Sequence, residues 1–201
     1  MSEPMQHLRQ TILLASKSPR RRQLLEAAGF PYETLTLDTP ETYPDHLPAS
    51  AIAPYLAEKK AAAALGYLQP GQILLCADSV VILHNKVYEK AANYDEAYAM
   101  LSALSGQVHE VVTGVCLQTD RQKRVFSGHS FVHLAELSHA EKDYYINNYH
   151  PYDKAGAYGI QDWIGWCKVT RIEGSYSNIM GLPMELVYAE IAAICRPESL
   201  F

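Results

Sequence analysis

The residues best suited to chemistry fall in two short segments of opposite character. The first is Ser16-Lys17-Ser18-Pro19-Arg20-Arg21-Arg22, where a brief apolar stretch gives way to a helical pattern. Cations packed into the first turn of a helix oppose its dipole, which favours negative charge at that end. An anion seated on the exposed amides reverses the argument, because helix N-termini attract phosphate. Successive helical residues are about 100° apart, so at most two of the arginines can face one ligand. No G-x-x-x-x-G-K-[ST] pattern is present, so this is not a Walker-type loop. The competing reading is a solvated basic face. The second segment is Ile73–Leu83, an apolar run broken by Asp78-Ser79. A carboxylate there is costly unless a metal, a cation or hydrogen bonds compensate it. The alternative is an edge or bulge position with Asp78 in water.

Other candidates are weaker one at a time. Glu41 lies in a loop and could be a second carboxylate. Lys60 and Lys90 could neutralise phosphate, although isolated lysines usually face solvent. In Asp153-Lys154-Ala155-Gly156-Ala157-Tyr158-Gly159-Ile160-Gln161, small residues permit close backbone approach. Gln161 there offers both an amide donor and a carbonyl acceptor, groups suited to reading the edge of a base. The competing reading is a glycine-rich turn beneath Trp163 and Trp166. Gly174-Ser175-Tyr176-Ser177-Asn178 reads as a tight polar turn. His129 and His133 share a strand face but have no carboxylate pattern beside them, so a metal role is not expected. No G-x-S-x-G elbow is present, which leaves nucleophilic hydrolase chemistry without support.

The elements that must position these groups alternate in type, which favours an α/β fold. Strands are expected at Thr11–Ala15, Tyr32–Leu37, Gln72–Leu83, Val108–Gln118 and Arg124–Leu137, with a turn at His84-Asn85-Lys86. Helices are expected from Pro19, with Ser18 as cap and Gly29 as stop, and over Ala49–Leu65 despite Pro54. Asn93 with Glu96, and Ser138 with Glu141, mark two further helix starts. A last helix is expected near Pro183–Ile194. The stretch before it, rich in glycine and aromatics, shows no clear period.

The 201 residues fit one domain spanning 1–201, and the net charge of −5 argues against binding a nucleic-acid polymer. A small phosphate-bearing ligand needs only a local positive site. The four cysteines are widely spaced, which indicates neither zinc nor a disulfide framework; three sit in apolar runs and read as buried. No stretch suits a signal peptide or a membrane span, so a reducing cytoplasm is the expected compartment.

Taken together and in order, these segments resemble the Maf family of nucleotide pyrophosphatases. The likeness runs from Leu13 to Ile194 and rests on Leu14–Arg21, Leu56–Ala61, Ala77–Val81, Leu104–Gly106 with His109–Val115, Asp153–Gln161 and Ile172–Asn178. It implies a long, twisted mixed sheet flanked by helices, with a cleft between two lobes as in inosine-triphosphate pyrophosphatases. It also implies a divalent metal, magnesium or manganese, held by Glu41 and Asp78, and often a homodimer. The catalytic positions carried across are Asp78, as proton acceptor, with Glu41, Lys60 and Lys90. The substrate-binding positions are Ser16, Arg20, Arg21, Ser79 and Gln161. Arg20 and Gln161 match the branch that takes dTTP and UTP rather than the 7-methyl-GTP branch, and Ser79 stands where threonine is usual. Glu89-Lys90-Ala91 replaces the usual Gly-Lys-Pro. A role as a nucleotide-binding regulator of cell division is the non-enzymatic alternative.

Overall fold

The computed structural model describes residues 5–196. Strand and helix alternate first: β1 (Ile12–Ala15), α1 (Pro19–Ala27), β2 (Tyr32–Leu35) and α2 (Ala49–Ala64). Then follow β3 (Ile73–Leu83), β4 (Lys86–Tyr88), α3 (Tyr94–Leu104), β5 (Val108–Gln118), β6 (Lys123–Leu134) and α4 (His139–Tyr149). The chain closes with α5 (Trp163–Cys167), β7 (Val169–Glu173), α6 (Tyr176–Met180) and α7 (Met184–Ile194). One seven-stranded sheet runs β2-β1-β3-β5-β6-β7, with β4 paired to β3. β2, β1 and β3 are parallel, whereas β3, β5, β6 and β7 alternate in direction, so the expected mixed sheet is present. No described helix is long and apolar enough to cross a membrane.

Local chemistry explains most boundaries. Pro19 opens α1 in the helical turn that needs no N–H, and Gly29 takes a left-handed φ of 77° just past its end. Ser18 stands at the cap position, but its side chain makes no cap bond; instead its amide donates to Ser16 Oγ at 3.1 Å. The Asn93 side chain accepts from the Glu96 amide at 3.0 Å and starts α3. Ser138 and Glu141 form the full reciprocal box at α4. Each such cap is worth about 1 kcal/mol. His84 and Asn85 both take positive φ, the two-residue turn whose twist suits a hairpin, and this adds β4 to the strands expected from sequence.

Strand ends differ from expectation by a few residues: β2 stops at Leu35, and β6 spans Lys123–Leu134. β7, α5 and α6 lie wholly in the stretch that showed no period. Of the cysteines, Cys76 and Cys116 are buried and face each other as free thiols across β3 and β5, but Cys195 is only half-buried and Cys167 is exposed. The expectation of three buried cysteines therefore holds for two.

Helix α2 lies almost against the sheet because its inner face is alanine. Ala53, Ala57, Ala61 and Ala64 are fully buried at helical spacing. A Cβ added to Gly114 on β5 would stand 2.1 Å from the Pro54 nitrogen, so a larger residue there would push the helix away. Apolar side chains gather in separate clusters along the long strands. Ile73 and Leu75 of β3 pack with Ile12, Leu25, Val187 and Ile191, whereas Val81 and Leu83 pack with Leu101, Leu104, Tyr145 and Ile146. Asp78 falls where the strand passes from one cluster to the other.

Candidate active site

A cleft of about 710 Å³ opens at that point, a volume typical of a small-molecule site. Its walls include Ser16 to Arg21, Glu41, Lys60, Asp78, Ser79, Glu89, Lys90, Asp153, Lys154, Tyr158 and Gln161. Every position carried across by the family resemblance lines this one cavity, whereas the Gly174–Asn178 turn does not. Arg22 is not among the lining residues, in keeping with the limit that helix geometry sets on the arginines.

At one end, charges are paired tightly. Lys60 projects from α2 and donates to both Glu41 Oε1, at 2.8 Å, and Asp78 Oδ1. Lys90 donates to Glu41 Oε2 at 3.1 Å. Asp78 pairs with Gly114 of β5 on one side; on the other, the pairing of β3 with β1 stops at Leu75 and that with β4 begins at Val81, so it stands at a gap in the sheet. At 8% exposed, however, it is not in water as the edge alternative required. The ammonium of Lys60 supplies the compensation that burying this carboxylate requires. Partial burial alone would push Glu41 up, but the hydrogen bond and charge of Lys60, and then Lys90, draw it down to about 2. Lys90 itself stands on a firmly held backbone. The Glu89 carbonyl accepts from the Gly156 amide at 3.0 Å, and Lys90 forms an isolated bridge with Ala155.

The strand-to-helix junction between β1 and α1 lies alongside. Its first-turn amides have no intrahelical acceptors and carry the positive end of the helix dipole. Arg21 plays a different part from the one its sequence position suggested. Its Nε donates to the Gly181 carbonyl at 2.8 Å, its Nη1 to Ser16 Oγ at 3.3 Å and its Nη2 to Ser79 Oγ at 3.2 Å. Gly181 can present that carbonyl because its φ of 118° is open to glycine. Burial lowers the Arg21 guanidinium from its ordinary value, while the charge of Asp78 pulls it back up. Arg21 thus ties Ser16, Ser79 and the turn after α6 together.

The network continues inward. Thr113 Oγ1 donates its proton to the Asn178 carbonyl at 2.9 Å, so at the 2.9 Å contact between Ser79 and Thr113 it is Ser79 that donates. The single Ser79 proton is therefore committed away from the cleft, and a lone pair is what Ser79 has left for a ligand. Thr113 is not among the expected functional residues, and Asn178 is so only as the end of the polar Gly174–Asn178 turn. Both are fully buried, and only the Val-Thr-Gly and Ser-Asn patterns hinted at them.

The other end is quieter. Gln161 Nε2 donates to Asp162 Oδ1 at 3.2 Å, and Asp162 Oδ2 accepts from Tyr145 at 2.7 Å. Tyr145 in turn accepts from the Gly159 amide at 3.0 Å, which fixes the turn that carries Gln161. The main-chain carbonyl oxygen of Gln161 accepts from Trp166 Nε1 at 2.9 Å, so the tryptophan braces the turn, although it is itself 72% exposed. Arg20 reaches across from α1 to Asp153 Oδ2 at 2.7 Å. His129 and His133 each pair with a separate glutamate, Glu110 and Glu173. Among the described residues no group of three or more His, Cys, Asp or Glu could hold a metal by itself.

Known proteins are similar to this chain in sequence. Residues 11–194 match the family described as Maf-like protein. A protein from Phocaeicola vulgatus named dTTP/UTP pyrophosphatase is 50% identical over 90% of this chain and 94% of its own. Proteins of the same name from Bacteroides thetaiotaomicron and Flavobacterium johnsoniae are 45% and 42% identical, covering 90% and 91% of this chain and 94% of each relative. A solved nucleoside-triphosphatase (dITP/XTP pyrophosphatase) from Mycobacterium abscessus is far more remote, with TM-score 0.41 and 17% identity over 92% of this chain and 93% of that one. A match over nearly the whole chain, with relatives this similar at nearly full length, leads to one conclusion: the chain belongs to the Maf-like protein family.

Proposed function

We propose that this protein hydrolyses nucleoside triphosphates to the monophosphate and pyrophosphate, with dTTP and UTP as its preferred substrates. The observation that carries the reading is the convergence of Lys60, Glu41, Asp78 and Lys90 on one wall of a cleft whose adjoining wall is the start of a helix. Phosphoryl chemistry asks mainly for position and for compensation of charge, and this set supplies both. The names of the relatives support the same chemistry and the same substrate pair.

The donors present fit a divalent cation. Glu41 and Asp78 offer hard carboxylate oxygens, and both already converge on one positive centre, the Lys60 ammonium. Magnesium is commonly held by one or two carboxylates completed by substrate phosphates, which suits a protein with no all-protein cage among its described residues. When bound, such an ion makes water a stronger nucleophile and offsets phosphate charge.

The chain's own groups divide the rest of the work. The amides at the start of α1 and the Ser16 hydroxyl cradle phosphate oxygens, and Arg21 holds Ser16 and Ser79 in place. Asp78 accepts the proton of the water that attacks the α-phosphorus. The bond between that phosphorus and the bridging oxygen to the β-phosphate breaks. Pyrophosphate leaves with its charge met by Lys60 and Lys90. Arg20 steadies the nucleotide, and Gln161 reads a pyrimidine edge with its amide. The free thiols of the described cysteines suit a reducing cytoplasm as the compartment.

The test is pyrophosphate release from purified protein with magnesium or manganese, across dTTP, UTP, CTP, 7-methyl-GTP and dITP. Release from dTTP and UTP above the others is expected. Release confined to 7-methyl-GTP would overturn the substrate assignment, and release from none would overturn the reaction.

A further inference from the structure

Glu41 belongs to residues 36–48, a segment with no helix or strand of its own. Two anchors flank it. Lys59 donates to both the carbonyl and the hydroxyl of Thr42, at 2.8 Å each. Tyr43 lays its ring against the cluster formed by Ile52, Leu56, Val80 and Ile82, and its hydroxyl donates to Glu89 Oε1 at 3.0 Å. Glu89 immediately precedes Lys90, and Lys90 returns to Glu41. The contacts close a ring: Glu41 through the chain to Tyr43, across to Glu89, through the chain to Lys90, and back to Glu41.

A carboxylate at Glu89 is otherwise an odd neighbour for a cleft built for a polyanion, because like charge disfavours the ligand. Its use is legible in the contact with Tyr43. We infer that Tyr43 and Glu89 are positioning residues that set Glu41 and Lys90 in register across the mouth of the cleft. The inference rests on the proposed hydrolysis and assigns to this chain two groups that act on the reaction through Glu41 and Lys90. Without the Tyr43 hydroxyl the 36–48 segment keeps its apolar anchor and the Glu41–Lys90 ion pair but loses its second tie to the stretch that carries Lys90. Misplacement of a charge-compensating group by a fraction of an ångström is felt mostly in turnover.

Tyr43→Phe preserves the ring and the formal charge and removes only the hydroxyl, so it is the primary variant. The expected result is a fall in kcat of about tenfold with little change in KM, since the groups disturbed act on the leaving pyrophosphate. Glu89→Gln keeps an acceptor oxygen and is expected to retain most turnover. The pair Tyr43→Phe with Glu89→Gln should be no worse than Tyr43→Phe alone. Affinity for inorganic pyrophosphate, measured by calorimetry, gives a readout independent of turnover; Tyr43→Phe is expected to weaken it several-fold while thermal stability barely moves. Wild-type kcat and wild-type pyrophosphate affinity in Tyr43→Phe would overturn the inference. A wild-type protein that releases no pyrophosphate from any triphosphate would overturn the proposed hydrolysis instead, and the calorimetry would still decide whether Tyr43 orders the anion site.

Discussion

At one end of the cleft, Lys60 and Lys90 tie Glu41 and Asp78 into a closed set of ion pairs; at the other, Gln161, Asp162, Tyr145 and the Gly159 amide form a hydrogen-bonded chain around a turn. The first end draws on α2, β3 and two loops, so long charged side chains do the reaching. The second is nearly local in sequence, and a bent backbone does the positioning. Charge compensation tolerates side chains that converge from afar, because Coulomb attraction is long-ranged and weakly directional. Reading a base edge does not, because a hydrogen bond weakens steeply with angle. The contrast accounts for where chemistry and selectivity sit, and each end can be broken separately.

The largest effect should come from the charged end. Asp78→Asn keeps the shape and removes the proton acceptor, and turnover is expected to fall by at least about a hundredfold in steady-state assays, with the protein folded by circular dichroism. Turnover near wild type would remove Asp78 from the mechanism. Lys60→Met removes the cation shared by Glu41 and Asp78 and should cost roughly a hundredfold in kcat. A change in KM alone would mean that Lys60 binds substrate without favouring the transition state.

The reading end should respond in selectivity more than in rate. Gln161→Glu places a second carboxylate beside Asp162 and turns a donor into an acceptor. The ratio of kcat/KM for dTTP to that for 7-methyl-GTP is expected to drop by about tenfold, the scale of one misplaced polar contact. An unchanged ratio would mean that selectivity lies elsewhere along the cleft.

An effect on stability and not on activity lies beneath that end, where His109 Nε2 meets the Tyr158 hydroxyl at 2.7 Å and Nδ1 has no partner. Burial holds this imidazole down at about 4, against an ordinary 6.5. Between those values the unfolded chain takes the proton and the folded chain does not. Stability is therefore lost as pH falls through that window and levels off below it, by roughly 3 kcal/mol at most. Urea midpoints measured against pH should fall more steeply for the wild type than for His109→Gln. Parallel curves would show that His109 does not carry the effect.

Much of this architecture could be read from the residues, and what escaped did so for physical reasons. Asp78 stood out because a carboxylate is expensive in an apolar run. The caps at Asn93 and Ser138 were visible because helix starts are decided by neighbours in sequence. The roles of Arg21 and Ser79 were not visible in the same way. Their partners are Gly181 and Thr113, brought close only when α6 and β5 pack beside β3. β7 and α5 escaped because their residues mix aromatic, small and charged types without a period of two or of 3.6. Lys60 could be suspected from the resemblance, but its place between two carboxylates depends on the alanine face of α2 and on Gly114, which let the helix approach the sheet.

The central claim is that the charged end directs water to the α-phosphorus while pyrophosphate leaves intact. Hydrolysis of dTTP in water enriched in heavy oxygen, followed by mass spectrometry of both products, tests it most directly. The account predicts label in the monophosphate alone and equal yields of monophosphate and pyrophosphate. Label in pyrophosphate, or release of orthophosphate with dTDP, would mean that attack falls on another phosphorus and that Asp78 and Lys60 have been given the wrong bond to cut.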